Sequence, residues 1–362
     1  AKDKPNEKLN IGIIGSGGRG SANMRGVASE NIVALCDVNG QTLAASQKKY
    51  PKAKAYFDWR KLLEDKSIDA VTVSTADHCH ALAAVAAMRA GKHVYCEKPL
   101  AHSVHEARVM RETFAKSKVA TQMGTQIHAT DNYRRVVELV QSGAIGPVRE
   151  AHVWCSRTIN PIGAPVLERQ SPPDWFHWDE WQGPAPDRYH NQGYWKGGNL
   201  NWNRRWDYGN GVLGDMGSHL IDLPWWALEL KTPLTCEAHG PKADAVACPP
   251  WMRVTWEHAA RKGRAALEVP VKVVWYHGGR SKRDRPDIET GMDLGKWGNG
   301  ILFVGDKGML LADYGKRFLL PKEKFTGHKA PKPWIAKSLG HHREWIHAAK
   351  TGAPTLCNFE YS

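Results

Sequence analysis

Several signatures that would settle a function outright are missing from the 362 residues. No apolar run reaches the roughly eighteen residues that a bilayer-spanning helix needs, which excludes a helical membrane protein. Seven cysteines, an odd number with no C-x-x-C pair, argue against a zinc knuckle and a complete disulfide framework, and free thiols are the simpler reading. There is no H-E-x-x-H and no acid cluster at metal-ligand spacing, so no metal site is expected. Internal repeats and low-complexity linkers are absent as well. Acidic residues are scarce: 37 Asp and Glu against 50 Lys and Arg leave a formal charge of +13. Residues 260 to 340 alone hold 17 basic against 8 acidic side chains, densest in "GGRSKRDRPD" at 278 to 287. The Gly, Pro and Asp content of that stretch reads as a solvated loop. No RNA-binding, zinc-finger or basic-zipper signature accompanies it, so no nucleic-acid partner is expected.

The composition that remains, 42% hydrophobic and 24% charged, is that of a globular protein, and the length suits two domains. The first residue is Ala rather than Met. A soluble protein is expected, either cytoplasmic or exported to the periplasm in folded form.

The first third alternates apolar strands with helix formers. "LNIGII" is short enough for a buried strand and runs into Gly15-Ser16-Gly17-Gly18-Arg19-Gly20. Glycines 15, 17 and 20 fit G-x-G-x-x-G: a tight turn, backbone approach to a pyrophosphate, and close packing of helix on strand. A second strand, "IVALCD", ends in Asp37, 17 residues beyond Gly20. A carboxylate there accepts hydrogen bonds from both ribose hydroxyls and repels a 2′-phosphate, which favours NAD over NADP. "DAVTVST", the Ala-rich helix 80 to 91, "KHVYCEKP" and "VATQMG" continue the pattern of a doubly wound parallel sheet, with ligands beyond the strands' carboxyl ends. Pro99 ends its strand and delivers Lys98 to that edge.

Farther on, "GVLGDMGSHLIDLPWW" at 211 to 226 reads as one helix. At about 100° per residue, Asp215, His219 and Asp222 share one stripe and Met216, Leu220 and Leu223 another. Nine of the sixteen Trp lie between 154 and 226. Most are expected to pack in the core or at an interface, with Trp202 and Trp206 the first candidates to stack on a sugar ring, and Asn203, Arg157 and Arg205 to bind its hydroxyls. The Pro-, Gly- and Trp-rich loops from 159 to 212 are candidates for a substrate-facing wall. His341 and His342 read as capping and surface residues at a helix start.

"GSGGRG", Asp37, "CEKP" and Asp215-x-x-x-His219 together resemble the Gfo/Idh/MocA oxidoreductases. "HVWCSR", "WDEWQGPAP", "RRWDYGNGVLGDMGSHLID" and "FVGDKGML" are similar to a branch abundant in planctomycete and Bacteroidetes genomes, whose members run on beyond the final "CNFEYS". The resemblance implies an NAD-binding Rossmann domain, placed at 9–128, then an α/β domain with a large, mostly antiparallel sheet at 129–362. It implies a sugar, polyol or glycoside substrate, and homodimers or homotetramers formed through the outer face of the second sheet. Lys98, Asp215 and His219 match the family's active-site lysine, aspartate and histidine. Thr75 and His80 resemble its cofactor-contacting segment, and Arg19 and Glu97 complete the expected cofactor set.

Chemically, His219 suits the role of general base, since a histidine titrates near neutrality. Asp215 orients it and stabilises its cation, Lys98 favours a developing alkoxide, and Asp222 is supporting structure. The same residues also serve a hydrolase, lyase or epimerase that retains NAD for transient oxidation. A non-catalytic carbohydrate or polyanion binder is the third reading.

Overall fold

The computed structural model describes the whole chain except residues 1–7, 159–164, 263, 265–266 and 279–284, and the side chains of 199 and 200. Most of the basic stretch 278–287 therefore lies outside the described residues.

The chain divides into two compact units. In the first, six strands, β1 (Asn10–Ile14), β2 (Asn31–Cys36), β3 (Lys54–Tyr56), β4 (Ala70–Val73), β5 (His93–Cys96) and β6 (Thr121–Met123), line up in the order β3-β2-β1-β4-β5-β6. Every pairing is parallel. Helices cover both faces, so the strands are apolar along their length: Ile11, Ile13, Val71 and Val73 are all fully buried. The strand order reverses between β1 and β4, and the helices Gly18–Gly26 and Asp77–Arg89 begin at the ends of those two strands. That reversal is where a doubly wound sheet opens a crevice for ligands.

The second unit holds seven strands, β7 (Val148–Cys155), β8 (Thr235–His239), β9 (Met252–His258), β10 (Val271–His277), β11 (Asn299–Gly305), β12 (Gly308–Ala312) and β13 (Arg317–Leu320). Their order is β13-β12-β11-β7-β10-β9-β8, antiparallel throughout except between β7 and β10. Alternate side chains serve opposite faces. On one, Val153, Val273, Trp275 and Phe303 pack against the helices Asp131–Gln141, Gly211–Leu220 and Asp222–Ala227. On the other, Trp154, Val274, Leu302 and Leu311 form a separate cluster with Leu294 and Trp297.

The units are not consecutive in sequence. The first takes Pro165–Asn210 and Leu339–Ser362 in addition to the residues up to Thr125. The first compact unit thus takes in two segments from the span expected for the second domain, 129–362. The cause is aromatic: Phe176, Trp178, Tyr194 and Tyr208 bury themselves together, with Val38 and Trp195 packed against them. His78, from the helix Asp77–Arg89, ties the segment down, its Nε2 2.9 Å from the Trp181 carbonyl and its Nδ1 3.2 Å from that of Tyr208. The last helix, His341–Thr351, likewise packs one face, His341, Trp345, Ile346, Ala348 and Ala349, into this unit. His341 is buried, with its Nε2 2.7 Å from the Met123 carbonyl, and His342 stacks on Tyr95 at 4.8 Å.

Candidate active site

In the first unit the glycine loop shows which of its residues admit no side chain. A Cβ on Gly20 would sit 1.9 Å from the Gly15 carbonyl oxygen, and one on Gly15 would sit 2.5 Å from that of Ser74, at a φ of +81° that already favours glycine. Both obstacles are backbone and cannot yield. At Gly18 nothing stands within 4 Å. The loop thus brings the start of the helix Gly18–Gly26 close against β1 and leaves the first-turn amides, the anion-binding end of a helix, beside it. Asp37 braces the turn: its Oδ2 accepts from the Ser16 and Gly17 amides at 2.9 and 3.2 Å and from the Ser16 hydroxyl at 3.2 Å, and its Oδ1 from the Asn39 amide at 2.9 Å. Burial raises the pKa of this carboxyl, and the four bonds oppose that rise.

Glu97 and Arg19 are brought together directly. Glu97 is 4% exposed, and its Oε1 accepts from Arg19 Nε and Asn23 Nδ2, each at 2.9 Å. Asn23 also donates to Ser74 Oγ at 3.0 Å and meets His342 Nε2 at 3.0 Å. Gly124 makes room, since a Cβ there would lie 2.7 Å from the Glu97 carboxyl carbon. Asn23, Ser74 and Gly124 gave no signal in the sequence, and His342, expected at the surface, meets Asn23 across 319 residues. Lys98 is half-buried at the end of β5, and the Lys98–Pro99 peptide is cis. Thr75 bonds locally to the Ala76 carbonyl at 3.2 Å.

His80 sits between two carbonyls, 2.8 Å from that of Pro99 and 3.1 Å from that of Thr75. A neutral imidazole donates only one proton, and burial keeps the His80 pKa below its ordinary value against the pull of both carbonyls. Its ring therefore donates to one of these two carbonyls at a time, that of Pro99 or that of Thr75. His78 and His80 form an H-x-H triplet of metal-like spacing, but both rings are engaged by backbone carbonyls.

The residues expected to meet sugar divide. Arg205 is 5% exposed, donates to the Pro165 carbonyl at 2.6 Å and lies over the Tyr194 ring at 4.9 Å, so it is built into the aromatic segment. Trp202 packs against the same cluster, whereas Trp206 is 40% exposed.

In the second unit the stripe is real but interrupted. One helix ends at Leu220 and the next begins at Asp222. Pro224 is the reason: it has no N–H for the Leu220 carbonyl, although Ile221 and Trp225 still donate to Gly217 and Ile221. Asp215 and His219 remain one turn apart on the first helix, 5% and 8% exposed. Arg157, at the end of β7, forms a salt bridge with the Asp215 carboxylate. Tyr133 donates to the His219 carbonyl at 2.9 Å. Asp222 is bonded instead to His128, both of its oxygens 3.0 Å from Nδ1.

The first unit thus carries a glycine turn with a strand-end carboxylate, and the second a buried acid and histidine one turn apart. Two consecutive domain models of one family match the chain: an oxidoreductase NAD-binding Rossmann fold over residues 9–125 and an oxidoreductase C-terminal alpha/beta domain over 132–264. The chain belongs to the Gfo/Idh/MocA oxidoreductase family. Among Gfo/Idh/MocA relatives, inositol 2-dehydrogenase of Salmonella typhimurium is 35% identical over 150 residues, 40% of this chain and 45% of that protein. Levoglucosan dehydrogenase of Pseudarthrobacter phenanthrenivorans is 24% identical over 229 residues, 60% of this chain and 50% of that one. The chain thus spans about half the length of the curated relatives it matches. A solved levoglucosan dehydrogenase in complex with NADH and levoglucosan shares the fold, with a TM-score of 0.62, 17% identity, and coverage of 98% of this chain and 93% of that one.

Proposed function

We propose that the protein oxidises a secondary hydroxyl of a sugar or polyol, with NAD as hydride acceptor and His219 as the base. The observation that carries this reading is the buried pair one helical turn apart, Asp215 and His219, in a chain whose other unit carries an NAD-type glycine loop ending β1 and a carboxylate ending β2. Bound NAD supplies the hydride acceptor. His219 takes the hydroxyl proton, and Asp215, its charge balanced by Arg157, orients the imidazole and stabilises its cation. Lys98 offers a fixed ammonium that favours a developing alkoxide. The similarity to inositol and levoglucosan dehydrogenases supports a ring polyol as the substrate class.

The test is a panel of sugars and polyols with wild type and His219→Ala, following NADH at 340 nm and product independently. Wild type forms one NADH per product, and His219→Ala loses at least about a hundredfold in kcat with little change in nucleotide affinity. Product without net NADH transfers the same residues to a transient-oxidation hydrolase, lyase or epimerase. An unchanged kcat in His219→Ala removes that histidine from the chemistry.

A further inference from the structure

Tyr314 lies in the turn that joins β12 to β13, and that turn is fixed before any ligand arrives. Asp313 Oδ1 accepts from the Gly315 and Lys316 amides at 2.8 and 2.7 Å. Asn132, from the helix Asp131–Gln141, donates to the carbonyls of Asp313 at 2.8 Å and Lys316 at 3.0 Å, and its own oxygen accepts from Arg317 at 2.9 Å. The turn sets the Tyr314 ring edge-on to His219, with centroids 6.4 Å apart, and tilted on Tyr133 at 6.3 Å. Asp215, Arg157 and Cys155 are its electrostatic neighbours.

The hydroxyl of Tyr314 is buried and has no hydrogen-bond partner among the described residues. A buried hydroxyl left unpaired is unfavourable, and that cost is removed when a ligand supplies the partner. Its neighbours have prior commitments: Arg157 bonds to Asp215, and Tyr133 to the His219 carbonyl. Burial also raises the phenol's pKa, which keeps it a neutral donor. We infer that Tyr314 is a specificity-determining residue, whose hydroxyl bonds to a second hydroxyl of the ligand, distinct from the one handled by His219. This rests on the polyol reading above and narrows it: the substrate carries at least two hydroxyls on one ring. A site built to bond a substrate hydroxyl rejects the analogue that lacks it far more strongly than an apolar pocket rejects an added one.

The test uses full-length, NAD-loaded wild type and Tyr314→Phe, which removes one oxygen and keeps the ring's packing. The probes are myo-inositol and levoglucosan with their monodeoxy analogues, measured by kcat/KM and by calorimetric binding. Wild type is expected to discriminate against one deoxy position by about a hundredfold or more, and Tyr314→Phe to shrink that ratio to within about threefold while leaving the other positions unchanged. Equal effects at every position, or none, overturn the inference even where NADH is formed and the redox reading stands. If the position-specific loss appears in binding but no NADH forms, the inference stands and the redox reading falls. Absence of binding by every probe overturns both.

Discussion

Asp37 accepts four hydrogen bonds from its own loop, three of them on Oδ2, so the free capacity for a ribose lies mainly on Oδ1. The residue fixes the glycine turn, and its charge is expected to discriminate against a 2′-phosphate as well. Asp37→Asn removes the charge and keeps one oxygen to accept from the Ser16 and Gly17 amides, while its NH2 gives up the bond from the Asn39 amide. The NAD-over-NADP ratio of kcat/KM should fall about tenfold or more, since bonds to a charged acceptor exceed neutral ones by roughly 1–1.5 kcal/mol. Steady-state kinetics with both cofactors checks this, and an unchanged ratio would place discrimination elsewhere. Gly15, Gly20 and Asp37 were legible from spacing alone, because the positive φ of Gly15, the contact of Gly20 with Gly15 and the acid at a strand end are set by short stretches of chain. Arg205 was not. Its type suggested a hydroxyl ligand, but the Pro165 carbonyl 40 residues away and the face of Tyr194 claim it.

Between 211 and 226 the periodicity of the sequence was correct and its continuity was not. Met216, Leu220 and Leu223 face the core as their spacing requires, but Pro224 restarts the helix and gives Asp222 a different task from Asp215. Asp222 holds His128, whose ring stacks on Trp226 at 3.9 Å, and so clasps the 3-10 turn Gln126–Ala129 to the helix Asp222–Ala227. Both side chains are at most 2% exposed. Asp222→Ala takes this acceptor from a buried N–H and should cost about 1–3 kcal/mol of stability, read as a lower urea midpoint, with nucleotide affinity unchanged. A variant as stable as wild type would show the clasp to be dispensable. His128 gave no signal in the sequence, since its partner lies 94 residues away.

Alternating strands and helices made the parallel sheet readable, because they are a repeated local pattern, whereas the second sheet was expected only through the family resemblance. Which segments join which unit was not readable: an aromatic cluster with interior histidines decides it, through contacts far apart in sequence. Those histidines make stability depend on pH. Burial holds His78 and His342 in the first unit, and His277 in the second, at a pKa of about 4. His277 shows why a proton is unwelcome: its Nδ1 accepts from Trp275 Nε1 at 2.7 Å and its Nε2 faces the Pro249 carbonyl at 3.4 Å, so the neutral ring already uses both nitrogens. In the unfolded chain each histidine titrates near about 6.5, so between about 6.5 and 4 the unfolded state binds more protons than the folded one. Stability is therefore complete above that window and is lost as the pH falls through it. At pH 5 the loss is on the order of 2 kcal/mol for each such histidine relative to pH 7.5. Urea midpoints at pH 7.5, 6 and 5 should decline in wild type and decline less steeply in His277→Gln, where an amide offers a donor and an acceptor without titrating; parallel curves would clear His277 of any part in the acid sensitivity.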